Sequence, residues 1–143
     1  MTTNEYLSQI ERLDHAIANK LSEIKRLADM ATSISVSPKE VDVQSSGEQD
    51  KMGSAVAKIV DLQCEVQELV NELVEKRRII IGQIDDMKNT DTYIVLSSHY
   101  VDRKDWNVIS VEMKCSYRNI MKLKKKALQE FESKFGYLYM ECA

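Results

Sequence analysis

The sequence predicts an all-α protein, a long coiled-coil-like helical hairpin followed by a three-helix helix-turn-helix module. Three observations predict it. Only one Pro and four Gly occur in 143 residues, and both residues disfavour helix interiors. Apolar residues recur every seven positions through most of the first 88 residues, the spacing of a helix that packs along another helix. Beyond residue 89 three short helical patterns follow, and the last is strongly cationic in "KCSYRNIMKLKKK".

The first element is a helix over residues 4–31. Ile10, Ile17, Ile24 and Ala31 mark one heptad position, and Tyr6, Leu13 and Leu27 the complementary one, with Lys20 as a break. Asn4 or Thr3 is placed to cap its start with a short side-chain oxygen. Residues 32–51 hold the only Pro, a Gly and five Ser, and read as an irregular connection, with the Val36–Val43 portion extended against the helices. A second helix is predicted over 52–88. Its heptad row is Met52, Ile59, Val66, Leu73, Ile80 and Met87, flanked by Val56, Val70 and Ile84 on one side and Leu62 and Leu69 on the other. That stripe is wider than one shorter partner helix can cover, so the row predicts oligomerisation, with a homodimer as the expected state. Gly82 lies inside this helix, where it predicts a bend or a close helix contact.

Residues 1–88 therefore form an expected arm, and 89–143 an expected module that folds by itself. Asn89, Thr90 and Asp91 are stop-and-cap residues at the boundary. Tyr93, Leu96 and Tyr100 make the first short helical pattern of the module. Trp106, Ile109 and Met113 make the second, capped by Asp105. Ser116 caps the third, whose buried face is Ile120, Leu123, Ala127, Leu128 and Phe131.

Charge sharpens the reading. The chain carries 20 basic and 23 acidic residues, net −3. Within 114–126 there are six cations and no acid. Two short helices joined by about three residues have helix-turn-helix spacing, and in such a unit the second helix enters the major groove of DNA. The residues placed to meet double-stranded DNA are Ser116, Tyr117, Arg118, Met121, Lys122, Lys124, Lys125 and Lys126. Arg118 lies in the first turn, where a guanidinium can hold guanine through two parallel hydrogen bonds. The lysines suit phosphates, which supply affinity without sequence information.

Other chemistry finds little support. The sequence holds two histidines, His15 and His99, and no glycine-rich phosphate loop or HExxH motif, so no enzyme activity, metal or cofactor is expected. Cys64, Cys115 and Cys142 lack zinc-ligand spacing and read as small, partly buried thiols in a reducing, cytoplasmic setting. No apolar run approaches the roughly 20 residues that span a bilayer.

The stretch "YVDRKDWNVISVEMKCSYRNIMKLKKKALQEF" resembles the fourth conserved region of bacterial sigma factors, with Tyr100, Trp106, Ile109, Met113, Ser116, Ile120, Ala127 and Phe131 in register. Lys114 and Arg103 stand where that pattern commonly has Gly, and the backbone at the first of these is usually left-handed. The whole chain resembles small proteins of phages and prophages, related to late transcription regulators of the ArpU and RinA type. The resemblance implies a transcriptional regulator that reads DNA, with RNA polymerase or another host protein as a further partner. Two alternatives share these features: an inhibitor that binds a host protein such as a defence nuclease, and a DNA-packaging adaptor like a small terminase subunit.

Overall fold

A computed structural model describes residues 1–36 and 45–140. Those residues form six α-helices and no strand, the all-α class that the scarcity of Gly and Pro predicts. The helices are α1 (Thr3–Leu7), α2 (Gln9–Val36), α3 (Ser45–Asp85), α4 (Thr90–Leu96), α5 (Trp106–Glu112) and α6 (Tyr117–Phe135). A π-helical turn, Ser97–Val101, continues α4, and a 3₁₀ turn, Gly136–Leu138, follows α6.

The helix starts show which local rules act. Thr2, rather than Thr3 or Asn4, caps α1: its hydroxyl accepts the Glu5 N–H at 3.1 Å while the Glu5 carboxylate accepts the Thr2 N–H at 2.9 Å. This reciprocal box satisfies two orphan donors at once, which a lone Asn4 cap would not. Asn4 is used elsewhere and accepts from the Tyr100 hydroxyl at 2.6 Å. Asn89 caps α4 by accepting from the N–H groups of Asp91 and Thr92. Ser116 caps α6 by accepting from Asn119 N–H at 3.1 Å. Asp105 has the extended cap backbone of α5 but makes no side-chain cap bond.

The irregular connection is shorter than residues 32–51. Helix α2 runs on to Val36 and α3 begins at Ser45. Extending an existing helix by one residue costs far less than nucleating a new one, so Ser and Gly at a helix end slow it without stopping it. The expected extended stretch loses Val36 to α2, and its remainder up to Val43 lies outside the described residues.

The chain divides into two compact units, Leu13–Glu72 and Met1–Arg12 with Leu73–Ala143. This division differs from the boundary expected at 88/89. The unit Leu13–Glu72 is an antiparallel pair of helix segments. Lys20 Nζ meets the Glu65 carboxylate at 2.8 Å, and Leu27 and Met30 lie beside Ala55 and Lys58. Its heptad residues Ile17, Ile24, Met52, Ile59 and Val66 are only half-buried, and Leu21, Met30, Val56 and Val60 are exposed.

The other unit holds the core. Tyr6, Leu7 and Ile10 come from the N-terminus, Ile80 and Ile84 from the end of α3, Val95 and Leu96 from α4, Tyr100 from the π turn, and Ala127 and Phe131 from α6. Leu73 and Met87 pack against this cluster and Ile80 is fully buried in it. Half of the expected oligomerisation row is thus used inside one chain. Ile80 cannot seat on a second copy, because α1 and the module already cover it. Rings close the unit: Tyr6 stacks on Tyr139 at 4.2 Å, and Phe131 meets Phe135 at 5.0 Å. Two further expectations differ. Tyr93 is 40% exposed and Val95 takes the buried place instead. Gly82 is exposed, with open space where a Cβ would stand, so it marks no close contact.

Candidate functional site

Helices α5 and α6 are joined by Met113–Ser116, and the geometry of that turn decides where the cations stand. Helix α5 ends in a Schellman motif: Cys115 N–H reaches the Ser110 carbonyl at 3.0 Å and Lys114 N–H reaches the Val111 carbonyl at 3.1 Å. The motif needs a left-handed residue just after the helix, usually Gly. Here it is Lys114, with φ of 55°. Arg103, after the π turn, is also left-handed, with φ of 59°.

On α6, Ile120, Ala127 and Phe131 are fully buried, which fixes the helix rotation. Arg118, Lys122 and Lys125, spaced four and three residues apart, then form an exposed row, with Tyr117 and Lys126 exposed beside it. Ser116 is exposed, but its oxygen is committed to the cap. Met121 is half-buried. Lys124 departs from the cationic group: its Nζ lies 5.2 Å from the centre of the Trp106 ring, a cation–π contact that holds it against α5. Among the described residues, Lys114, Arg118, Lys122, Lys125 and Lys126 have no carboxylate within ion-pair distance. The acids of α6 begin at Glu130 and Glu132 and are engaged by Thr92 at 2.5 Å and Thr3 at 3.2 Å. Glu112, at the end of α5, is paired with Lys104 at 3.1 Å.

Sequence reasoning missed Asn119. It is exposed in the first turn of α6, and an amide there can bond adenine with two hydrogen bonds. Its place one residue after Arg118 and one before the buried Ile120 was the available signal.

Behind the turn, Trp106 also receives His99, whose ring stacks at 3.9 Å and 20°. His99 Nδ1 lies 2.8 Å from the Lys104 carbonyl, so the neutral ring donates there. Burial holds its pKa below the ordinary value. The Lys104 carbonyl opposes this, the Lys124 charge adds to it, and Glu11 and Asp105 oppose it. The Tyr100 hydroxyl is pushed up to about 12 by burial. Cys115 is half-buried, as expected, whereas Cys64 is exposed; Cys142 lies outside the described residues. Among the described residues no group of three or more His, Cys, Asp or Glu could hold a metal ion, and no helix is long and apolar enough to cross a membrane.

Fold and site together define an all-α protein with an uncompensated cationic helix. The chain belongs to a family described as "Protein of unknown function (DUF1492)", whose model matches residues 32–132. The matched span includes α3, α4, the π turn, α5 and the whole cationic part of α6. No curated protein and no solved structure matches the chain.

Proposed function

We propose that this chain is a DNA-binding protein that regulates transcription, with α5 and α6 as a helix-turn-helix and α6 as the reading helix. One observation carries the reading. Five cations, Lys114, Arg118, Lys122, Lys125 and Lys126, are exposed on one turn and half a helix, with no carboxylate in reach among the described residues. Like charges at helical spacing repel. The positive end of the helix dipole adds to that cost near Arg118. A polyanion removes both penalties. The resemblance to sigma region 4 and to phage late regulators makes duplex DNA the polyanion of choice. In this reading Arg118 and Asn119 meet base edges, and Lys122, Lys125 and Lys126 meet phosphates. The half-buried seam of the Leu13–Glu72 hairpin seats on a second copy, so that two reading helices act together.

Titration of labelled duplex at several salt concentrations tests the reading. About three or four phosphate contacts per subunit give a dimer a slope of log K against log salt of roughly −5 to −7. Lys122→Ala with Lys125→Ala should weaken all sequences alike and flatten that slope. Arg118→Ala should cost about 1–3 kcal/mol at a preferred site and blur its preference. Absence of binding at about 50 mM salt overturns the proposal, because nonspecific phosphate contact is strongest at low salt.

A further inference from the structure

The end of α3, α4 and the π turn line a pocket of about 180 Å³ that shares no residue with the cationic segment. Ile84 is 1% exposed and forms part of its wall with the half-buried Ile81 and Val101. The exposed Tyr93 ring adds to that wall, and no hydrogen bond engages its hydroxyl among the described residues. Ser97 gives its hydroxyl to the Ile94 carbonyl at 3.5 Å. Asp85 and Asp102, both exposed, complete the lining. Neither carboxylate has a cation within ion-pair distance among the described residues. Arg77, one turn before Ile81, donates instead to the Val101 carbonyl at 3.4 Å.

We propose that this pocket docks a protein segment that inserts one apolar side chain between Ile81, Ile84, Val101 and Tyr93 and lays a lysine or arginine against Asp85 and Asp102. The apolar wall takes the first group and the two unpaired carboxylates take the second. The same carboxylates repel phosphates, so nucleic acid does not fit here. A second feature points the same way: Ser97 and Val101 belong to a π-helical turn, a rare element that is frequently found at functional sites. This inference is independent of DNA binding by α6, since the two surfaces use different residues and opposite charge.

The test uses the full chain labelled at its isoleucine δ-methyl groups, followed by NMR. Two probes are added: a peptide with one leucine flanked by lysines, and the same peptide with glutamates in place of the lysines. The lysine peptide should shift the Ile81 and Ile84 methyl signals, and the glutamate peptide should not. Asp85→Asn with Asp102→Asn should weaken the lysine peptide roughly two- to thirtyfold, the range for two solvent-exposed ion pairs. The melting temperature checks that this double variant remains folded, which is expected because both carboxylates are exposed and unpaired. No shift at Ile81 and Ile84, equal shifts with the glutamate peptide, or undiminished binding by the double variant overturns the proposal. Equal shifts from n-butylammonium at the same concentration also overturn it, by showing an amine site rather than a docking surface.

Discussion

Lys114 holds a left-handed backbone that disfavours any residue with a Cβ by roughly 1 kcal/mol or more. Gly at this position removes that cost, although it also loosens the unfolded chain. Lys114→Gly should therefore raise stability by about 0.5–1 kcal/mol in denaturant unfolding. A destabilised variant would contradict the turn geometry. His99 gives a second outcome at this scale. Its pKa is lowered in the folded state, first by burial, so the unfolded chain binds its proton more readily. Its contribution is fully present above the ordinary His value of about 6.5 and is lost as pH falls toward the folded value. Thermal melts taken downward from about pH 8 to pH 5 should show this loss, and His99→Gln should flatten it, since the amide does not titrate there. The two residues were unequally legible. A lysine in a turn that commonly holds Gly is visible in sequence. The seat of His99 on Trp106, and of Lys124 on the same ring, depends on how α4, α5 and α6 pack, and no local pattern encodes that.

Among the elements, α3 is where local preference and structure can be separated. Gly82 lies inside this helix, is exposed and has nothing within 4 Å of the place a Cβ would take. Gly82→Ala should stabilise the protein by about 0.5–1 kcal/mol through propensity alone. An unchanged or lower melting point would mean that the helix needs the glycine. The hairpin Leu13–Glu72 gives another outcome. Two helices cannot enclose a stripe on both sides, and Ile17, Ile24, Ile59 and Val66 stay half-buried, with Leu21, Val56 and Val60 exposed. If a second copy covers them as proposed, light scattering should give a dimer mass at micromolar concentration. Leu21→Glu with Val60→Glu should then return the monomer mass, because each buries a charge without a partner. The heptad spacing made both helices legible. It could not tell which part of the row serves the chain's own core, because Ile59 and Ile80 occupy the same heptad position.

For the whole molecule, the decisive fact is that the module's core begins at the other end of the chain. A boundary at Asn89 was readable because a cap is a local signal, and Asn89 does cap α4. The apolar set of residues 91–143 looked sufficient when counted by itself. Yet Leu7, Ile10, Ile80 and Ile84 are each at most 1% exposed, in one cluster with Val95, Leu96, Tyr100 and Phe131. Polar contacts bind the same pieces: Tyr6 donates to Gln83 at 2.7 Å, Tyr100 donates to Asn4, and Thr3 shares a hydrogen bond with Tyr139 at 2.8 Å. Fully burying one such aliphatic side chain contributes roughly 1.5–3 kcal/mol. Four of them amount to about 6–12 kcal/mol, which is comparable to the whole stability of a typical domain, about 5–15 kcal/mol. A fragment of residues 91–143 should therefore give a largely unfolded circular dichroism spectrum with no cooperative melt. Joining residues 1–12 to 73–143 through a short flexible linker should restore both helix content and a cooperative transition. A cooperative melt in the short fragment would show that α4, α5 and α6 hold together without Ile80 and Ile84. Failure of the joined piece would show instead that this unit needs the Leu13–Glu72 hairpin to fold.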